Sequence, residues 1–355
     1  MLNNINKIIT QTFANTELSL RGVRLITIKD VAKRVGVSPS VVSRALNNRY
    51  GVRESTREKI VRAAKEMGYY PNAAARSLVT RRTATIGVMM ADLSEPYYTQ
   101  IIKGMEFSAS KSGYTLLFSN SYESLEKSKV LEKMVYAERV DGVVIVGSNI
   151  EEQEYILKLV ERKVPFVLLE RDFADPCINC VYVDNVYGGY LATKYLLDKG
   201  HTRIAHISGK IGFQVALDRL EGYKKALREA GLPFEKKLVI PGNFVWQDGY
   251  AAMKKLLRLR PRCTAVFTAN DTMAFGALQA ITESGLSVPE DIAVMGFDDL
   301  EFSSLTNPPL TTVSQPRYEM GKEAVRIVTS LIEHGASEEG VKMCYRPEIV
   351  IRRSA

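Results

Sequence analysis

The sequence predicts a small all-α headpiece of the helix-turn-helix type, followed by an α/β region of two doubly wound parallel-sheet lobes. Residues 27–46 contain two short amphipathic helical patterns separated by Gly36. Positive charge is concentrated near the front: residues 21–82 carry 15 Lys and Arg against 4 Asp and Glu, whereas residues 83–355 carry 32 against 35. From Thr83 onward, apolar runs alternate with amphipathic stretches, which is typical of parallel sheets covered by helices.

The two helices of residues 27–46 have recognisable start and stop signals. Thr27 and Asp30 have the spacing of a capping box, and Gly36 can end the first helix in the left-handed conformation. Ser38 followed by Pro39 predicts the N-cap and first position of the second helix. The exposed face of this second helix is expected to carry Pro39, Ser40 and Arg44. A helix pair of this kind can place its second helix in a DNA major groove, and a basic front segment favours a polyanionic partner.

A third helix and a short alanine-rich segment follow this pair. Ser55 and Glu58 have capping-box spacing. The inward face of the third helix is predicted to consist of Ile60, Val61, Ala64 and Met67, and Gly68 to end it. The segment YYPNAAARSL then restarts a short helix at Pro71. It is too short to be helical alone, because isolated helices need roughly 12–15 residues.

These motifs resemble the lac-repressor (LacI/GalR) family of bacterial transcription regulators. The resemblance is carried by DVA-x4-VS-x3-VSR-x2-N, TR-x-K-I and GY-x-PN-x2-AR-x-L, and it runs from about Leu25 to the C terminus. It implies a repressor that binds double-stranded DNA as a homodimer, at a palindromic operator. The implied DNA-binding residues are Thr27, Ser38, Pro39, Ser40, Val41, Ser43, Arg44, Asn47, Tyr69, Asn72, Arg76 and Leu78. Two Leu78 side chains are expected to wedge into a flexible central base step.

The resemblance also divides the chain. Residues 1–24 are expected to be a disordered N-terminal extension, 25–70 the helix-turn-helix headpiece, and 71–82 a hinge helix and linker. Residues 83–355 are expected to bind an effector and to dimerise. Lobe one is expected to comprise 83–184 and 315–340, and lobe two 185–314 and 341–355, as in the periplasmic sugar-binding relatives of this family.

The pattern of the α/β region supports two lobes that meet near Asp184. Nine apolar runs are expected to be strands: ATIGVMM, YTLLFS, VDGVVIVG, PFVLLE, VYVD, RIAHISG, LVI, TAVFTA and IAVMGF. Helical patterns lie at 97–112, 125–138, 151–162, 187–199, 215–230, 247–259 and 271–284. The resemblance implies a further helix around 317–334 in lobe one and a last strand at about 346–352 in lobe two. Nine strands are many for one small doubly wound unit, so we expect two.

Ligands of parallel α/β sheets bind at the carboxyl ends of the strands. Several polar and aromatic residues follow the predicted strands and form the candidate effector site: Asp92, Tyr97, Tyr98, Glu170, Phe213, Arg219, Phe244, Asn270 and Asp298. Charged groups can hydrogen-bond sugar hydroxyls, while an aromatic face stacks on a ring. The motifs RLEGY, GFDD and PGNF resemble the family at effector-contacting positions, which supports Arg219, Asp298 and Phe244. Asp271 is interpreted as a helix cap.

The predicted effector is a small molecule of the carbohydrate class. The chain resembles the purine-responsive members of the family in these loops. However, the polar side chains with which those members contact a purine correspond here to Phe213 and Val215, which cannot replace them. An alternative is a global regulator of the catabolite-control type, which uses a phosphorylated carrier protein as corepressor.

Other classes of protein fit the sequence poorly. No G-x-G-x-x-G follows a strand and no nucleophile–base arrangement is evident, so we expect neither an enzyme nor a cofactor. Cys177 and Cys180 form a lone CxxC without a second ligand pair, so no metal site is predicted. No apolar stretch is long enough to span a membrane and no signal peptide is evident, so we expect a cytoplasmic protein.

Overall fold

The computed structural model describes residues 26–47, 49–69, 82–90, 92–120, 133–135, 137, 139–147, 153–335 and 339–355. The chain divides into two compact units, residues 1–81 and 82–355. None of the described helices is both long and apolar enough to cross a membrane.

The first unit contains three helices: α1 (Ile28–Val35), α2 (Pro39–Leu46) and α3 (Glu54–Glu66). The predicted signals of the first two are confirmed. The backbone N–H and the hydroxyl of Thr27 donate to the Asp30 carboxylate at 2.8 and 2.7 Å. Gly36 adopts φ 76° where α1 ends, and Ser38 precedes Pro39 at the start of α2. The core between the helices is formed by Val31, Ala32, Val42, Ala45, Ile60 and Ala64.

Helix α3 differs from the prediction at its start and on its inner face. Its N-cap is Arg53, so Ser55 lies within the first turn. Val61 is 47% exposed, because Ile60 occupies the core and the next residue lies about 100° around the helix. Arg57, in the TR-x-K-I motif, has a structural role: its guanidinium donates to the carbonyls of Ala45 and Arg49 at 2.8 and 3.1 Å. These bonds fix the loop that follows α2.

The second unit begins with a six-stranded parallel sheet. Its strands, in spatial order, are β2 (Thr115–Asn120), β1 (Thr85–Met90), β3 (Gly142–Val146), β4 (Phe166–Leu169), β5 (Cys180–Val183) and β11 (Lys342–Tyr345). Both faces of this sheet are covered. Val144 and Val146 pack in a core with α4 (Tyr98–Lys111) and α10 (Arg317–His334). Val143 and Ile145 pack on the opposite face with α5 (Gln153–Glu161).

A second parallel sheet has the order β7 (Val239–Pro241), β6 (Ile204–Ser208), β8 (Ala265–Thr268) and β9 (Ala293–Met295). Helices α8 (Trp246–Leu256) and α9 (Asp271–Thr282) cover one face. Helices α6 (Asn185–Asp198) and α7 (Gln214–Glu229) cover the other. Strand β10 (Thr312–Ser314) pairs antiparallel with β12 (Glu348–Val350) next to this lobe. The two-lobed parallel α/β fold predicted from the sequence is therefore observed.

The nine predicted strands are found within two residues of their predicted ends. The prediction for residues 341–355, however, is partly wrong. Strand β11 pairs in parallel with β5, Lys342 opposite Cys180, and so belongs to the first sheet rather than to lobe two. Along β11, the exposed residues Lys342 and Cys344 alternate with half-buried ones, as in an edge strand. This pattern does not indicate which strand β11 pairs with. Most of the predicted helix at 125–138 lies outside the described residues.

Helices α6 and α7 pack closely across a glycine, and this contact places a residue of the candidate site. A Cβ atom at Gly189 of α6 would lie 2.2 Å from the Arg219 carbonyl oxygen on α7. Only glycine permits this approach. Gly189 therefore fixes the position of the α7 backbone from which the Arg219 side chain extends.

Candidate functional site

The candidate DNA-binding residues of the first unit lie on its surface around α2. The exposed ones are Thr27, Ser38, Pro39, Ser40, Arg44 and Asn47, and the half-buried ones are Val41, Ser43 and Tyr69. The Ser38 and Ser40 hydroxyls are 2.8 Å apart, and Arg44 Nε donates to the Ser40 carbonyl at 3.4 Å. The long Arg44–carbonyl contact leaves most of the guanidinium donors for another partner. Asn72, Arg76 and Leu78 lie outside the described residues, so their roles stay predictions.

One exposed aromatic residue of the first unit was not among the candidates. The Tyr50 side chain, in the loop between α2 and α3, is fully exposed. An aromatic residue between Arg49 and Arg53 in a basic segment is the signal that could have found it.

The second unit contains a cavity of about 220 Å³ between the carboxyl edges of its two sheets. All nine candidate effector residues line it: Asp92, Tyr97, Tyr98, Glu170, Phe213, Arg219, Phe244, Asn270 and Asp298. The sheet-edge rule thus brought together residues up to 206 positions apart in the chain.

Glu170 forms the acidic centre of the wall from lobe one. Tyr97 and Tyr98 lie next to its carboxylate. A Cβ atom at Gly147 would lie 3.2 Å from this carboxylate and 3.0 Å from the Tyr98 hydroxyl oxygen. Burial raises the pKa of Glu170 from 4.5 to about 7, although the two tyrosines and Arg219 act in the opposite direction. Near neutral pH this side chain can therefore accept or donate a hydrogen bond.

Arg219 and Asp298 form the ionisable part of the wall from lobe two, and each is 4% exposed. Arg219 Nη1 lies 3.6 Å from Asp298 Oδ1. Arg219 also donates from Nε to Asn185 Oδ1 at 2.8 Å, and its guanidinium carbon lies 3.7 Å from the centre of the Phe297 ring. Burial raises the pKa of Asp298 to about 8, with Arg219 acting in the opposite direction. The pair thus leaves hydrogen-bonding capacity directed at the cavity.

Two residues that the sequence did not identify as site residues connect the lobes behind the cavity. Gln315 donates from Nε2 to Asp298 Oδ1 at 2.7 Å and accepts from the Tyr97 hydroxyl at 3.3 Å. Arg317 donates to the carbonyl oxygens of Tyr97 and Asp299 at 3.1 and 2.7 Å. The two side chains link lobe one, through Tyr97, to the Asp298–Asp299 loop of lobe two. They would therefore respond to a change in the angle between the lobes.

An aromatic corner closes the lobe-two side. The Phe213 and Phe244 rings are 6.3 Å apart and inclined at 75°. A Cβ atom at Gly209 would lie 2.1 Å from Phe244, so the ring lies directly over this glycine. Asn270 holds the loop by donating to the Phe244 carbonyl at 2.9 Å.

Three cavity residues have a backbone conformation that is rare for side chains larger than glycine. Glu170, Phe244 and Asp298 have φ values of 74°, 67° and 112°. Such conformations are costly and concentrate where a side chain must point into a site. Their presence at three separate wall positions supports this cavity as the candidate site.

The structure corrects the interpretation of Asp271. The helix N-cap is Asn270, whose side chain accepts from the Met273 N–H at 2.9 Å. Asp271 is fully buried instead and accepts hydrogen bonds from the Leu300 N–H, the Ser303 hydroxyl and the Thr312 hydroxyl. The sequence alone does not show which of two adjacent residues is the N-cap when one is Asn and the other is Asp, because both residue types cap helices equally well.

Other cavity-lining residues were not among the candidates: Glu95, Gly147, Arg171, Lys210, Gln214, Val215, Asn243 and Val245. Most belong to the same post-strand loops and could have been included by extending each loop by a few residues. Among the described residues, no group of three or more His, Cys, Asp or Glu side chains is arranged to hold a metal ion. Cys177 and Cys180 are free thiols.

Comparisons with known proteins identify both units. Residues 27–72 match the family described as bacterial regulatory proteins, lacI family, and residues 193–355 match the periplasmic binding protein-like domain. The HTH-type transcriptional repressor PurR of Vibrio atlanticus (strain LGP32) is 36% identical over 330 residues, which cover 92% of this chain and 98% of that protein. The PurR repressor of Haemophilus influenzae (strain PittEE) is 38% identical, with 93% and 98% covered.

Solved structures give the same result. A lac repressor dimer bound to operator and the anti-inducer ONPF is 31% identical, with a TM-score of 0.84 and 93% of this chain and 99% of that chain covered. A complex of the transcriptional regulator CelR with cellobiose is 33% identical, with a TM-score of 0.72 and 93% and 100% covered. The chain therefore belongs to the lacI family of bacterial regulatory proteins and is a DNA-binding transcriptional regulator.

Proposed function

We propose that this chain is a homodimeric repressor of a palindromic operator, and that a carbohydrate bound between its lobes sets its affinity for that operator. The observation that carries the effector class is the composition of the cavity wall. It combines ionisable groups from both lobes with two aromatic rings set at a steep angle.

A sugar ring matches this wall in two respects. Its hydroxyl groups need several acceptors and donors around the ring, which Asp92, Glu170, Arg219, Asn270 and Asp298 can supply. Its C–H face is apolar and packs on an aromatic ring such as Phe244. The CelR–cellobiose complex, whose chain is similar to this one over nearly its whole length, supports the same class.

A purine fits less well at the positions that would need to contact it. Phe213 and Val215 both line the cavity and have no polar side-chain atoms. Phe213 instead forms the aromatic corner with Phe244. A purine's ring nitrogens and exocyclic groups would be desolvated there without partners, which is costly.

Binding between the lobes provides the coupling to DNA. The wall groups come from lobe one (Tyr97, Tyr98, Glu170) and from lobe two (Arg219, Phe244, Asp298), so a ligand that contacts both favours one angle between them. If operator affinity differs between the two lobe angles, ligand and operator must each change the affinity of the other by the same factor. The lac repressor structure with operator and anti-inducer supports a dimeric arrangement of this type.

On the DNA side, Arg44 is proposed to contact guanine. It lies exposed on α2, and arginine can donate two hydrogen bonds to O6 and N7 of guanine in the major groove. Ser40 and Val41 would complete the contact with the bases, since Pro39 has no backbone N–H.

The test is an anisotropy titration of a palindromic operator, obtained by in vitro selection with the full chain. It is repeated with a panel of mono- and disaccharides and with hypoxanthine and guanine. We expect a sugar to shift the operator Kd by about 5- to 150-fold. Arg219→Ala and Asp298→Ala should remove this shift while the ligand-free Kd stays near that of the wild type. Arg326→Ala, which removes an exposed arginine of α10, is the matched control.

Two outcomes would contradict the proposal. A shift by a purine base and by no sugar would assign the site to the other ligand class. A shift only on addition of a phosphorylated carrier protein would support the catabolite-control alternative.

A further inference from the structure

The effector cavity adjoins a second cavity of about 620 Å³. Glu170, Arg171 and Gln214 line both cavities and form the boundary between them. The second cavity runs along the carboxyl edge of the first sheet, from the end of β4 past β5 to Cys344 of β11. Its opposite wall is formed by the first residues of α6 and α7. The space between the lobes therefore extends beyond the nine residues predicted from the sequence.

The wall of this second cavity contains three carboxylates besides Glu170, those of Asp172, Asp184 and Asp218. Asp218 accepts from Gln214 Nε2 at 2.6 Å, and Asp184 accepts from the Tyr187 N–H at 2.8 Å, so each carboxylate uses one of its two oxygens in these bonds. Asp172 is paired with Lys342 at 3.1 Å. Burial, together with the nearby Asp184 and Asp172, raises the pKa of Asp218. A ligand that donates hydrogen bonds would satisfy this wall.

The same cavity also has apolar surface. Phe173, Val183 and Val186 line it, with the Phe173 side chain largely buried. A metal ion or a simple amine would use the acceptors but would leave this apolar surface in contact with water. A second sugar ring has both hydroxyl donors and an apolar C–H face, and the volume is larger than that of the first cavity.

We propose that the second cavity is a subsite for a second sugar ring, so that the effector is a disaccharide rather than a monosaccharide. This inference rests on the proposed carbohydrate effector. The first ring occupies the cavity of Arg219, Phe244 and Asp298. The glycosidic linkage then passes Glu170 and Gln214, and the second ring lies against Asp184 and Asp218.

The test uses one substitution that fills the second cavity without touching the first. Ala174 is exposed, lines the second cavity and is absent from the wall of the first. Calorimetry with the full chain compares glucose and galactose with cellobiose, maltose and lactose. We expect one disaccharide to bind the wild type at least tenfold more tightly than its constituent monosaccharides, about the size of one added hydrogen bond to a charged group.

Ala174→Trp should reduce the affinity for this disaccharide to about that for the monosaccharide, and leave monosaccharide binding unchanged. Ala174→Ser is the matched control and should behave as the wild type. Asp218→Asn is a second variant, which keeps the size of the side chain, and should weaken only the disaccharide, by about tenfold.

The failures are distinguishable. If monosaccharides and disaccharides bind the wild type equally and Ala174→Trp changes neither, the second subsite is wrong while the carbohydrate effector stands. If Ala174→Trp weakens both classes equally, the two cavities are not separate subsites and the inference is also overturned. If no saccharide binds, the proposed effector class is wrong and the subsite with it.

Discussion

Glu170→Gln should change how the stability of the ligand-free protein depends on pH. Burial raises the pKa of this carboxyl from 4.5 to about 7 in the folded protein. Below pH 4.5 the side chain is protonated in both the folded and the unfolded chain. Between pH 4.5 and 7 the unfolded chain releases the proton while the folded chain retains it, so the free energy of unfolding falls as pH rises.

The size of this loss follows from the shift. One pKa unit corresponds to about 1.4 kcal/mol, so the Glu170 carboxyl should reduce the free energy of unfolding by about 3 kcal/mol between pH 4.5 and 7. Above pH 7 its contribution should become constant. Glutamine has nearly the same shape and does not titrate, so the variant should lose about 3 kcal/mol less than the wild type over this range. Asp298, whose pKa is raised to about 8, acts in the same direction in both proteins and largely cancels in the comparison.

The assay is urea unfolding of ligand-free wild type and Glu170→Gln at half-unit steps from pH 4.5 to 8. Glu106→Gln, which removes an exposed carboxyl of α4, is the control and should follow the wild type. Parallel curves for wild type and Glu170→Gln across the whole range would refute the reasoning, since they would show that the folded and unfolded chains bind this proton equally.

Three further substitutions test other parts of the structure. Arg44→Ala should weaken specific operator binding by about 1–3 kcal/mol with far less effect on random DNA, measured by anisotropy; equal losses on both would exclude a base contact. Phe244→Ala should weaken effector binding in calorimetry by less than Arg219→Ala does, because it removes stacking area rather than a desolvated charge; an equal or larger loss would contradict this. Asp271→Ala should lower the free energy of unfolding by about 3 kcal/mol or more, since it leaves three buried donors without their acceptor; a change below about 1 kcal/mol in urea unfolding would show that water replaces the carboxylate.

Local patterns in the sequence determined most of the fold. The capping box of Thr27 and Asp30 and the left-handed Gly36 are set by neighbouring residues, so the first helix of the headpiece was predictable at both ends. Continuous apolar strands between amphipathic helices require a covered parallel sheet. That requirement also placed the effector candidates, because parallel strands present their carboxyl ends at one edge.

What the sequence left open depends on contacts between distant residues. The pairing of β11 with β5 joins Lys342 to Cys180, and edge-strand patterns do not encode their partner. The link between the lobes depends on Gln315 and Arg317. The partners of Gln315 are Tyr97 and Asp298, which lie 218 and 17 positions away in the chain. The partners of Arg317 are Tyr97 and Asp299, which lie 220 and 18 positions away.

Burial was decided only by the tertiary structure. Asp271 and Asn270 are adjacent and chemically similar, yet one is a buried acceptor for three donors and the other a helix cap. The raised pKa of Glu170 and of Asp298 likewise arises from the loss of water around them once the two lobes enclose the cavity. The second cavity exists only because α6 and α7 stand opposite the edge of β4, β5 and β11. A sequence specifies which groups are available, but their solvation is a property of the assembled fold.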